Sequence, residues 1–463
     1  MNKKLILSLV VLFTLCINAN NSNAQLVQPE WSKSAVMYEV NLRQYSESGK
    51  IQAFTDQIPR LKELGIDVLW IMPVHPIGLM NRKGTLGSYY SVQDYYAIAP
   101  EYGNEEDFRN MVQVAHENGM KVLIDWVANH TAWDNKWIEE HPDWYVKNNK
   151  GEIQTQYDWT DVAKLNYDNR EVHVEMAKAM RYWVEKFDID GFRCDVAFLV
   201  PLNFWEYARK EIEKVKPIYM LAEMEWNTDI TPTPNDYFKT VFNAAYGWNF
   251  MGVTHDYIKG KKTLAQLKNE LKENYTKFPE YTHRLYYLTN HDENSWNGTV
   301  DEKYGKNWQQ IGVMVYTLPQ SLPLIYTGEE VALNRRLSFF EKDYIKEDEW
   351  QNATRTEWYQ KMCQLKSSVP AFNSNSGDVT INDIDFSMLK GDVNSVLGYV
   401  RKAKKSNAYV FINFSDEEID IKPNGIKLKK LKKYKRESNA EQNIDPSNNQ
   451  LKLQANSYMI MYK

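Results

Sequence analysis

DGFRCDV, residues 190–196, is a short apolar run that closes in charge and sets an arginine two places before an aspartate. If the run is a strand, a side-chain period of two sends Arg193 and Asp195 to the same side. Runs of the same kind recur along the chain: AVMYEVNL (35–42), DVLWIMPV (67–74), KVLIDWVANH (121–130), IYMLAEME (218–225), TVFNAAY (240–246), RLYYLTNHD (284–292) and LPLIYTGEE (322–330). With the first, they make eight candidate strands. Between many of them lie segments with apolar residues three and four apart and plausible caps, such as FTDQIPRLKELG, the Asn104-led NEEDFRNMVQVAHENG, EVHVEMAKAMRYWVEKF and KNWQQIGVMVYTLP. Alternation of strand and helix predicts an α/β fold with a parallel sheet. Eight such units close into a (β/α)8 TIM barrel whose working groups stand at the C-terminal strand ends. A doubly wound open sheet is the rival fold, but no Gly-rich dinucleotide fingerprint follows a strand here.

Two segments depart from the repeat. Residues 131–170, aromatic-rich and following the third strand, are too long for an ordinary connection and read as a functional insertion. From about Ala371 the pattern changes to alternating strands, as in VLGYVRKA, AYVFINF and SYMIMYK, which predicts a C-terminal all-β sandwich domain over 371–463. The catalytic barrel would then span 25–370. The KLKKLKKYKR run (427–436) reads as alternating lysines on a strand, a solvated face and not a binding patch.

The first residues join Lys3 and Lys4 to an apolar run from Leu5 to Cys16 and then to Ser22 and Ala24 in the small-residue spacing of a cleavage site. This predicts a signal peptide over 1–24 and a secreted or periplasmic protein. The run is too short to span a bilayer, and no later segment is long and apolar enough for a transmembrane span. A formal net charge of −5, deepened when those two lysines leave, argues against nucleic acid as a partner and for a neutral ligand. Cys194 and Cys363 remain in the mature chain, too few for a disulfide framework or a zinc cluster. The 15 Trp, 30 Tyr and 17 Phe suit a large core and also stacking on sugar rings.

Four strand ends deliver ionisable groups: Asp125 and His130, Arg193 and Asp195, Glu223, and His291 and Asp292. Singly, each has a bland explanation as a helix cap, a structural ion pair or a satisfied hydrogen bonder. Together they converge on one rim of one barrel, where so many carboxylates would be costly to hold without a use. Arg193 would keep Asp195 an anion and hence a nucleophile, while Glu223, less compensated, would hold a proton as general acid. Such a pair flanking a glycosidic bond performs hydrolysis.

The ordered set DWVANH, GFRCD, the Glu of AEME, TNHD and SLPLIYTGEE resembles the α-amylase family of retaining glycoside hydrolases, and the resemblance covers nearly the whole mature chain. It implies Asp195 as nucleophile, Glu223 as general acid/base and Asp292 as the third carboxylate, which fixes sugar hydroxyls. It also implies that Arg193 orients the nucleophile, that His130 and His291 bind hydroxyls of the cleaved sugar, and that Tyr90 in YSVQDYY stacks under it. Asp125 is implied as a structural tie near the arginine, and Tyr90, His130, Arg193, His291 and Asp125 together form the expected substrate-binding set. No cofactor is required for such chemistry; a structural calcium bound by Asn129 with Asp158 or Asp161 is an option the oxygen ligands allow. The chain departs from many relatives at Ser88, where they carry histidine, and at Ala197 and Phe198, where they carry Lys-His.

Trp226, Trp133 and Trp144 are candidate stacking platforms on the acceptor side. The expected function is a retaining α-glycosidase acting on α-1,4-linked glucans or maltooligosaccharides through a covalent glycosyl-aspartate intermediate. A transglycosidase or glucanotransferase, sharing that intermediate, is the alternative within the enzyme class. A silent glycan-binding protein should have lost one of the three carboxylates. A metal-dependent hydrolase should show clustered histidines, and the eight present are scattered.

Overall fold

The eight predicted strands all form, and they pair side by side. A computed structural model describes residues 26–225, 232–374 and 380–463. The predicted signal segment and Trp226 lie outside the described residues. The strands are β1 (Met37–Val40), β2 (Val68–Ile71), β3 (Lys121–Trp126), β4 (Gly191–Cys194), β5 (Tyr219–Ala222), β6 (Ala244–Tyr246), β7 (His283–Tyr286) and β8 (Ser321–Tyr326). All pair in parallel, and β8 returns to β1 to close the barrel.

Both faces of these strands are buried, which is why they read as continuous apolar runs. In β4, Phe192 and Cys194 join the core under the helices, while Met37, Trp70, Leu123, Leu221 and Leu324 of other strands fill the barrel interior. Gly191 is dictated by the close approach of β5, since a Cβ there would stand 1.8 Å from the Tyr219 carbonyl oxygen.

The helices begin where their caps are. Asn104 accepts from the Glu106 and Asp107 N–H groups while Asp107 accepts from the Asn104 N–H, a reciprocal box that starts the helix Glu105–Glu117. Asn169 likewise caps Arg170–Phe187, the helix that follows the insertion.

The insertion is built on a short antiparallel pair, His130–Ala132 with Val162–Lys164. It docks on another long connection, residues 72–104 after β2, where the Ala132 N–H donates to the Val92 carbonyl at 2.9 Å. The length of that second connection was not anticipated from sequence.

The C-terminal residues form two antiparallel sheets, one of five strands and one of four. Phe411 and Met459 from the first pack with Ile421 and Leu453 from the second, the arrangement of a sandwich. The lysine run differs from its prediction. Leu428–Leu431 is a 3-10 turn that buries Leu428 and Leu431, and only Lys435–Ser438 is strand. A three-residue apolar spacing, not a two-residue one, decides the conformation there. Its lysines are all exposed. No helix among the described residues is long and apolar enough to cross a membrane.

Candidate active site

Strand register sets the site. Asp125 of β3 pairs with Arg193 of β4, and Cys194 pairs with Ala222 of β5. The next residues, Asp195 and Glu223, therefore leave their strands at the same level. The Asp195 N–H donates to the Trp126 carbonyl at 3.0 Å and the Glu223 N–H to the Cys194 carbonyl at 2.9 Å, which fixes both turns.

One guanidinium touches three carboxyls. Arg193 Nη1 donates to Asp125 Oδ1 at 3.0 Å and to Asp195 Oδ1 at 2.8 Å, Nη2 lies 3.0 Å from Glu223 Oε2, and Nε donates to the Tyr246 hydroxyl at 3.1 Å. The Nη2 contact to Glu223 is an ion contact without hydrogen-bond alignment. The cation is also wedged among the rings of Trp70, Tyr246 and Tyr90.

This corrects the sequence reading in two ways. Arg193 does not serve Asp195 alone, and both Arg193 and Asp125 have 0% side-chain exposure, so neither reaches a substrate. They are positioning residues behind the floor of the cleft. Burial, then the charge of Glu223, pushes the Asp195 carboxyl well up against the opposing pull of Arg193. Burial also raises Glu223, with Arg193 opposing and Asp292 adding. Both shifts run toward the protonated form, and that of Asp195 runs against the expectation that Arg193 keeps it an anion, because Arg193 is divided among three carboxyls.

Glu223 is further fixed by Val196, whose N–H donates to Oε2 at 2.7 Å. Val196 reaches it only from a left-handed backbone, φ 35° and ψ 46°, which a β-branched residue rarely adopts. The following 3-10 turn, Ala197–Leu199, holds it, with the Trp205 indole donating to the Ala197 carbonyl at 3.1 Å. Strain at this place is the kind that persists when surrounding structure fixes it.

A second chain of contacts approaches from β1 and β2. Glu39, buried in β1, accepts from His291 Nδ1 at 2.5 Å. His291 Nε2 meets the Tyr90 hydroxyl at 2.8 Å and lies 3.4 Å from Asp292 Oδ2. The Tyr90 hydroxyl donates to Asp125 Oδ2 at 3.0 Å, and the Trp70 indole donates to the same oxygen at 3.1 Å. Burial opposes a charged His291, but Asp292 and Glu39 together lift it to about 9, so it is an imidazolium at neutral pH. With both nitrogens protonated, Nδ1 donates to Glu39 and Nε2 is a donor toward Tyr90 and Asp292. His130 goes the other way: burial takes it down to about 4, and it stays neutral.

Asp195, Glu223 and Asp292 line one cleft of about 220 Å³ together with Tyr90, His130 and His291. Ser88 also lines it, and its hydroxyl accepts from the Tyr90 N–H at 3.1 Å, so this departure from many relatives holds Tyr90 in place. Trp159, Phe339 and Phe340 also line the cleft and were not anticipated. Glu39 was missed as well, although an acid inside the apolar run MYEV was a readable signal.

Of the proposed platforms, Trp144 is core, packed between His141 and Trp137, and Trp133 donates to the Thr160 carbonyl; neither lines the cleft. The residues considered for calcium have other surroundings. Asp161 pairs with Lys83 at 3.2 Å, Asn129 donates to His130 Nδ1 at 3.0 Å, and Asp158 is exposed. Among the described residues no cluster of acidic, histidine or cysteine side chains has the makeup of a metal site.

Comparison with known proteins agrees with this geometry. The family model for the alpha-amylase catalytic domain matches residues 18–150 and 140–369. An alpha-amylase of Haloarcula japonica is 27% identical over 405 residues, covering 85% of this chain, which spans only 57% of that relative's length. The crystal structure of an alpha-amylase from Lactobacillus plantarum superimposes with a TM-score of 0.78 at 26% identity, covering 93% of this chain and 99% of its own. That of a maltogenic alpha-amylase from Thermotoga neapolitana gives 0.77 at 27% identity, covering 93% and 98%.

Proposed function

The chain belongs to the alpha-amylase family of glycoside hydrolases, and from that premise we propose that it cleaves α-1,4-glucosidic bonds of α-glucans or maltooligosaccharides with retention of configuration. The observation that supports this reading best is the single guanidinium shared by Asp195 and Glu223, which emerge at one level on one cleft that Asp292 also lines.

In this mechanism an oxygen of Asp195 bonds to the anomeric carbon as the bond to the leaving oxygen breaks. Glu223 gives its proton to that oxygen. Its Oε2 accepts the Val196 N–H, so Oε1 is the oxygen that bears the proton. As the proton leaves Glu223, Asp195 loses its negative charge to the glycosyl bond, and the crowd around Arg193 keeps a constant total charge. Water then returns the steps, with Glu223 as base. Asp292 and the donor Nε2 of His291 stand where hydroxyls of the reacting ring would be held, and neutral His130 offers a further contact. Tyr90, kept protonated by burial, supplies an apolar ring face.

The names of the relatives, alpha-amylase and maltogenic alpha-amylase, support glucose chains as the substrate class. The N-terminal sequence supports export as the setting in which such chains are met. Proton NMR of the first products from maltoheptaose tests the mechanism. The α-anomer should form first and mutarotate later; first appearance of the β-anomer would refute it.

A further inference from the structure

The mechanism uses the floor of the cleft and leaves one side of its mouth unexplained. Phe339 and Phe340, on the connection after β8, form part of the wall, and both pack against Trp296, with ring centroids 5.4 and 5.8 Å away. Phe339 in turn lies nearly parallel to Tyr90, at 16° and 6.3 Å. A row of aromatic faces thus rises from the residue under the reacting sugar to Trp296 outside. Trp296 is 52% exposed, the only tryptophan so open among the described residues. So large an apolar surface left in water at the lip of a cleft is informative.

Its backbone is equally unusual. Asp292 is followed directly by a π-helical turn, Glu293–Asn297, a rare geometry that concentrates at functional sites. The turn is clamped to the β8 connection: Ser295 Oγ donates to the Leu337 carbonyl at 2.7 Å, and the Leu337 N–H donates to Asn294 Oδ1 at 2.8 Å. The indole is therefore held out by a rigid mount.

We infer that Trp296, backed by Phe339 and Phe340, is a stacking platform for a sugar ring outside the one being cleaved, which makes the enzyme selective for chains over short glucosides. The inference rests on the glucan reading above and adds the residue that senses length. A flat apolar face presented beside a polar cleft suits the apolar face of a pyranose. The rival lip is Tyr157 on the insertion, 61% exposed and packed on Trp159 at 5.4 Å.

The test is calorimetric binding of maltoheptaose and of maltose to the Asp195→Asn protein, alone and combined with Trp296→Ala, Trp296→Phe or Tyr157→Ala. Trp296→Ala should weaken maltoheptaose by about tenfold and maltose by distinctly less, and Trp296→Phe should recover most of the loss. An equal loss for both sugars, no loss, or a length-dependent loss only in Tyr157→Ala would overturn it. Because the readout is binding, a wild-type protein that fails to hydrolyse glucans would refute the hydrolase reading while this result still decides the platform.

Discussion

The two ends of strand β4 hold aspartates in opposite circumstances. At the start, Asp190 accepts from His116 Nε2 at 2.7 Å, Lys121 Nζ at 2.9 Å and the Val122 N–H at 3.0 Å, and Lys216 lies 3.6 Å away. Burial opposes its charge, yet these donors hold its carboxyl down at about 2. At the end, Asp195 shares one guanidinium with two other carboxyls and is pushed up. One end has partners in excess of charge and the other has charge in excess of partners. The first arrangement favours the charged carboxylate and stabilises the fold; the second disfavours charge on its carboxyls, and it lies at the end of the barrel where enzymes of this architecture work.

The sharpest way to break this contrast is to neutralise each end in turn. Asp195→Asn should lower turnover of maltoheptaose by about 10⁴-fold or more, because an amide cannot form the glycosyl bond. Its melting temperature should hold or rise, since a buried like charge has gone. Asp190→Asn should keep kcat within about twofold and cost about 2 kcal/mol of stability at neutral pH, the linkage value of a carboxyl held at about 2 in the fold. That contribution is present above the ordinary Asp range and is lost as pH falls through about 2. Equal effects of the two substitutions on activity would dissolve the distinction.

The next effect concerns the pH profile. Glu39 helps hold His291 at about 9, so the alkaline limb of kcat/KM should fall near that pH. Glu39→Gln removes a charge 2.5 Å from the ring and should move the limb down toward the ordinary His range, a shift that loosened packing alone would not produce. Arg193 and Asp125 also act electrostatically on Glu39 and remain in the variant.

The smallest effect is on alkaline stability. Burial raises Glu329, at the end of β8, to about 8. A carboxyl that binds its proton more tightly when folded stabilises at low pH, and stability should decline as pH rises from about 4.5 through about 8. Glu329→Gln should flatten that decline in denaturant titrations repeated across this window.

The barrel was legible because each strand is buried on both faces and ends in polar residues, a pattern visible in runs such as KVLIDWVANH. Asp195, Glu223 and Asp292 were legible because strand ends of this fold converge, and the register of β3, β4 and β5 brings the first two together. The division of labour by Arg193 was not. Sequence pairs it with Asp195 by period two, but the neighbouring strands supply Asp125 and Glu223 at equal distance. Phe339, Phe340 and Trp296 escaped for a related reason: they sit on connections, where no periodicity links them to the cleft. Trp144 misled because an aromatic insertion reads the same whether its rings face a ligand or each other.

The most direct test of Asp195 as the attacking group is to trap the bond it forms. Reaction of the wild-type protein with 5-fluoro-α-D-glucosyl fluoride, followed by intact-mass measurement and peptide mapping, should show one fluoroglucosyl group on Asp195. An adduct on Glu223 or Asp292 in place of Asp195 would contradict it.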